Sequence, residues 1–183
     1  MLLAADRSQL LIIDVQERLV PAMHGPEPLL ANLGVLLRAA PVLGVPALAS
    51  EQYPRGLGRT LPGIADLLVA AGDTAGPFEK VHFSCMAEPG FADRLAAGRE
   101  QIVIAGIETH VCVLQTALSL RAAGHACFVV ADACSSRTVA SAELALARLR
   151  DAGVTVVSTE MVLFEWLHRA GTPAFKALSP LVR

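Results

Sequence analysis

Apolar residues in this chain fall in short, nearly unbroken runs, and between the runs they recur at helical spacing. QLLIIDV (9–15), VPALASEQ (45–52), FEKVHFS (78–84), QIVIAGI (101–107), HACFVVAD (125–132) and VTVVST (154–159) read as six buried strands. The segments between them predict helices over 26–44, 64–72, 86–98, 109–123 and 136–153, with Gly44, Gly98 and Gly153 as stops and short helices finishing the chain. A Gly/Pro-rich stretch, YPRGLGRTLPG (53–63), reads as a loop. Strands that are apolar on both faces and alternate with helices predict an α/β fold: a six-stranded, mostly parallel, doubly wound Rossmann-like sheet covered on both sides. No internal repeat or low-complexity linker divides it, so residues 1–183 are expected to form a single domain.

Composition sharpens this picture. With 54% hydrophobic and 17% charged residues, the chain has more apolar side chains than its own core needs, which points to a homodimer or larger homo-oligomer. The net charge is −2, and the fifteen basic residues are scattered with few aromatics among them. That argues against a nucleic-acid or membrane partner and for a small-molecule one. Four cysteines, Cys85, Cys112, Cys127 and Cys134, form no CxxC pair, and a chain of this length does not need disulfides. A cytoplasmic location is expected, since the N-terminus also lacks a secretory pattern and no apolar run reaches the roughly 20 residues of a spanning helix.

In such a sheet, ligands bind beyond the carboxyl ends of the strands. The polar residues found there are Asp14 and Gln16, Glu51 and Gln52, Lys80, His82 and Ser84, Thr109, His110 and Cys112, and finally Asp132, Ser135 and Ser136. Asp14 ends an uncharged run and is either an acceptor for backbone N–H groups or a general base. Lys80 is either a surface lysine on an edge strand or a buried, paired cation. Cys112, with Thr109 as the helix N-cap, falls in a first turn whose free N–H groups favour an anion and bring a thiol down from roughly 8.5 toward neutrality. The alternative for Cys112 is simple packing.

Taken together, IIDVQ, the strand-three lysine and GIETHVCVLQT (106–116) resemble the isochorismatase-like cysteine hydrolases over nearly the whole chain. SEQYPRGLG (50–58) and VVADACSSR (129–137) look like the isochorismatase domain-containing subgroup. The resemblance implies a catalytic triad of Asp14, Lys80 and Cys112. It also implies a non-proline cis peptide at Ile107–Glu108 and an oxyanion hole from backbone N–H groups around Glu108 and Cys112. Gln16, Gln52, Tyr53, Phe83 and Glu108 flank the triad as candidate substrate-binding residues, with loop support and core packing as their plainer alternatives.

The implied chemistry is hydrolysis of a small amide or related carbonyl through a thioester. An isochorismatase-type ether hydrolase and a catalytically silent scaffold are the alternatives. The nicotinamidase branch carries a metal-binding Asp-x-His where this chain reads SEQYPRGLG, and the five histidines have no ligand spacing, so neither metal nor other cofactor is expected. GLGRT (56–60) lacks the ending of a phosphate loop.

Overall fold

A computed structural model of the chain describes residues 1–182. Strands β1 (Ser8–Ile13), β2 (Ala47–Gln52), β3 (Phe78–Lys80), β4 (Gln101–Ile107), β5 (Ala126–Ser135) and β6 (Thr155–Val157) form one sheet in the order β3-β2-β1-β4-β5-β6. Every pairing is parallel. The helices are α1 (Pro26–Val42), α2 (Pro54–Leu57), α3 (Pro62–Ala70), α4 (Leu114–Ala122), α5 (Val139–Asp151), α6 (Thr159–Leu167) and α7 (Pro173–Leu178).

All of β1 and β4 is buried, and the period-two geometry of a strand sends alternate residues to opposite faces. Leu10 and Ile12 of β1 join Val103 and Ala105 of β4 and Leu33 and Leu36 of α1 in one core. Leu11 and Ile13 join Ile102 and Ile104 with Val113, Ala117 and Leu120 in the other. Two apolar layers therefore clamp the sheet, as the unbroken runs predict.

Several expected elements differ: the loop expected over 53–63 contains the short helix α2, and β5 runs on to Ser135. The third strand stops at Lys80, so His82 and Phe83 lie in a loop. Segment 86–98 forms only the 3₁₀ turns Cys85–Ala87 and Ala92–Arg94. Pro89 there lacks an N–H to donate and Gly90 takes φ 84°, which together break any continuous helix. The helix expected from Thr109 begins instead with a wide turn, Thr109–Val113, whose N-cap is Glu108.

The order of strands fixes the location of a site. Successive strands are added outward in one direction from β1 and in the other from β4, and the crevice between the carboxyl ends of these two neighbours is the topological switch point. Ile13 is level with both Ser50 and Gly106, and Gln52 is level with Lys80.

Candidate active site

At the end of β1 the backbone turns at Asp14 with φ 55°, a left-handed conformation that aspartate tolerates better than most residues. The turn drives its carboxylate under the sheet end, where it is completely buried. One carboxylate oxygen, Oδ1, accepts from Ser50 Oγ at 2.7 Å and the other, Oδ2, accepts from Lys80 Nζ at 2.8 Å. A buried carboxylate needs such partners to remain charged.

Lys80 arrives from two strands away, and its side chain is as fully buried as that of Asp14. Besides Asp14, its ammonium donates to Gln52 Oε1 at 2.6 Å and, over longer distances, to the carbonyls of His82 (3.4 Å) and Phe83 (3.3 Å). Burial works to lower the pKa of Lys80, but the Asp14 carboxylate it is bonded to works the other way, and the ammonium is held above the ordinary lysine range. Lys80 is thus the buried, paired cation and not a surface lysine.

Cys112 sits in the wide turn ahead of α4, only 6% exposed, with Sγ 4.0 Å from Gln52 Oε1. Its thiol departs from the sequence expectation. Burial, then the neighbouring Asp14 carboxylate, push it well above the ordinary thiol range, and the opposing pull of Lys80 is smaller. Proximity to a helix start does not compensate for loss of water around the sulfur. The resting thiol is therefore protonated, and a base is needed to ionise it.

The loop before Cys112 is tied to the loop after β5. The Ile107–Glu108 peptide bond is cis. The Glu108 carboxylate accepts from the N–H of Arg137 at 3.2 Å and from its Nε at 3.1 Å. His110 Nδ1 meets Ser136 Oγ at 2.9 Å. The Glu108 carbonyl accepts from Val111 and Val113 N–H groups, which shapes the wide turn.

Of the residues flanking Asp14, Lys80 and Cys112, Gln52 is drawn in among them, whereas Gln16 lies beneath them. Gln16 is fully buried, and its amide donates to the carbonyls of Gln52 and Gly58 and accepts from the Gln52 N–H. Its side chain has no polar atom left for a ligand. Tyr53 and Phe83 are each 53% exposed at the rim. A surface cleft against Lys80 is lined by Tyr53, Arg55, Glu79, Val81 and Glu88. Another lies at the start of α1, beside His24, Asn32 and Ser135. Cys112 lines neither. Among the described residues, no three His, Cys, Asp or Glu side chains come together as a metal site.

Sequence reasoning missed three contributors. Ser50 is one, although strand alternation places residues 50 and 52 on one face and was signal enough. Gly106 is another, with φ 120° in β4. Glu88 is the third: its Oε2 accepts from the N–H groups of Val81 (2.8 Å) and His82 (3.1 Å) and meets His82 Nδ1 (2.9 Å). It thereby holds the loop whose carbonyls face Lys80. No sequence pattern marks it.

The isochorismatase domain family matches residues 8–161. Isochorismatase domain-containing protein 2 of Danio rerio is 34% identical over 181 residues, spanning 98% of this chain and 89% of that protein. The secreted isochorismatase effector Isc1 of Phytophthora sojae is 36% identical, spanning 96% and 84%. Among solved structures, the MAR1 ribonuclease of Caenorhabditis elegans superposes with a TM-score of 0.92 at 31% identity, over 100% of this chain and 92% of that one.

Proposed function

The chain belongs to the isochorismatase family of hydrolases, and on that premise we propose that it is a metal-independent cysteine hydrolase of a small amide or related carbonyl compound. The observation that carries this reading is the fully buried Asp14–Lys80 ion pair set beside a buried thiol. An ion pair removed from water is a costly arrangement to keep for stability alone.

In the proposed cycle, Asp14 takes the proton of Cys112 and Lys80 offsets the charge on sulfur. The thiolate adds to the substrate carbonyl carbon, and the oxygen that gains charge is met by backbone N–H groups at Glu108 and Cys112. Asp14 returns the proton to the amine, the C–N bond breaks, and a thioester remains on Cys112. Asp14 then deprotonates a water that adds to the thioester carbonyl, and the C–S bond breaks to release the acid and restore the thiol. Tyr53 and Phe83 provide an apolar rim for the substrate, while Gln16 and Gln52 support the site from within.

The structural relative from Caenorhabditis elegans bears the name of a ribonuclease. For this chain the charge pattern favours a small neutral substrate. Its net charge is −2, and Lys80, Arg59 and Arg137 are each paired with carboxylates. The free thiols suit a reducing cytoplasm. The apolar rim residues Val81 and Phe83, more than half exposed, suit burial in a homo-oligomer.

The test is intact-protein mass spectrometry after incubation with a panel of small amides. A mass increase that maps to Cys112, together with ammonia or amine release that disappears in Cys112→Ala, supports the reading. Equal release from both proteins overturns it.

A further inference from the structure

Gln52 ends β2 level with Lys80, and its carboxamide is buried with both ends occupied. Nε2 donates to the Val81 carbonyl at 2.8 Å, which fixes the orientation of the amide and leaves its oxygen facing inward. That oxygen accepts from Lys80 Nζ at 2.6 Å and lies 4.0 Å from Cys112 Sγ. The backbone on either side is held as well: Gln16 accepts from the Gln52 N–H at 2.8 Å and donates to its carbonyl at 2.9 Å. An amide restrained in this way is part of the frame of the site and is not free to turn toward a substrate.

Counting the protons on the ammonium shows what this frame does. Lys80 has three N–H donors. Asp14 takes one and Gln52 takes another, and the third is shared by the two longer contacts to His82 and Phe83. None is left directed at sulfur. What the sulfur does face is the Gln52 oxygen at 4.0 Å, an acceptor that, like the neighbouring Asp14 carboxylate, favours S–H over a bare thiolate.

We propose that Gln52 is a positioning residue that holds the Lys80 ammonium on Asp14 and off the sulfur, and so sets the fraction of Cys112 present as thiolate. Its consequence for turnover rests on Cys112 being the nucleophile proposed above; its effect on the thiol does not. The neutral amide keeps the resting sulfur protonated and unreactive until Asp14 removes the proton, while leaving the Asp14–Lys80 charge balance undisturbed.

Two substitutions of opposite sign test this. Gln52→Leu removes the acceptor, so a Lys80 N–H is released toward sulfur and the thiolate gains. Gln52→Glu adds a carboxylate to the same ammonium close to the sulfur, so the thiolate loses. The readout is the rate of iodoacetamide alkylation at Cys112, followed peptide by peptide between pH 7 and 9.5 on protein whose native circular dichroism is verified. Relative to wild type, Gln52→Leu is expected to react at least about fivefold faster and Gln52→Glu at least about fivefold slower. If Gln52→Leu does not fold, Gln52→Met keeps the length of the side chain without the acceptor and carries the same expectation.

Rates that match wild type, or that move in the same direction in both variants, overturn the proposal; the latter is what loosened packing alone produces. Because the readout is at the thiol, the result stands apart from the amide test. Opposite shifts without any amide adduct sustain the positioning role and remove the amidase reading, and an adduct without opposite shifts does the reverse.

Discussion

Gly106 and Ile13 lie so close that a Cβ on the glycine would sit 2.2 Å from the Ile13 carbonyl oxygen and 2.6 Å from its nitrogen. The contact joins β4 to β1 one residue before Asp14, and Gly106 has φ 120°, a conformation that side chains resist. Backbone cannot move aside as a flexible side chain does. Gly106→Ala is therefore expected to cost more than about 3 kcal/mol, or to prevent folding, because strain and overlap act together. A chemical denaturation curve within about 1 kcal/mol of wild type would contradict this account of the strand junction.

The buried ion pair makes a prediction about how substitutions combine. Asp14→Asn leaves the Lys80 ammonium buried without its counter-charge, and Lys80→Met leaves the Asp14 carboxylate in the same position. Each is expected to destabilise the fold by about 3–5 kcal/mol. The double variant removes both charges and is expected to be less damaged than the sum of the two, with a coupling of about 1–3 kcal/mol. Additive losses in denaturant titrations would mean that the two groups do not act as a pair.

Cys112→Ser and Cys112→Ala are expected to abolish turnover of any amide substrate while changing stability by less than about 1.5 kcal/mol, because the replacements are small and no strong hydrogen bond is lost. Chelators are expected to leave wild-type turnover unchanged. A chelator-sensitive rate would point to chemistry other than the proposed thioester route.

The thiols also predict behaviour at alkaline pH. Burial raises Cys127 and Cys134 to about 12, and it raises Cys85 and Cys112 in the same direction. A group whose folded pKa lies above its unfolded value stabilises the fold fully below the unfolded value, roughly 8.5 for a thiol, and loses that contribution as pH climbs toward the folded value. The melting temperature is expected to fall between about pH 8.5 and about 12, and Cys127→Val is expected to flatten the decline. An equally steep decline in the variant would remove this thiol as a cause.

On the acid side, Glu88 is held down to about 2, first by the Val81 N–H and then by its contacts with His82. A depressed carboxylate stabilises its loop above the unfolded pKa and loses that effect only as pH falls through the folded value. Amide protection at Val81 and His82 is therefore expected to persist to about pH 3 and to be lost near about 2. In Glu88→Gln the protection should already be weak at pH 7. Hydrogen exchange read by NMR distinguishes the two proteins.

What the sequence determined by itself is the architecture and the chemical cast. Unbroken apolar runs dictate strands buried on both faces, and strand–helix alternation dictates a parallel sheet. The carboxyl-end rule directs attention to a set of polar residues that includes Asp14, Lys80 and Cys112, and the family resemblance implies these three as the triad, because each signal is local in the chain. What only the tertiary structure decided is how these groups act on one another. Asp14 and Lys80 are 66 residues apart, and whether the lysine is buried against the carboxylate depends on β3 lying beside β2 and β2 beside β1. The Cys112 thiol illustrates the limit: its place at a helix start argued for a lowered pKa, but desolvation and the Asp14 charge reverse the sign. Gln52 and Gln16 look alike in the chain, yet one reaches Lys80 and the other only backbone. Burial and charge–charge distance are properties of the packed molecule, and neither is written in the spacing of residues along the chain.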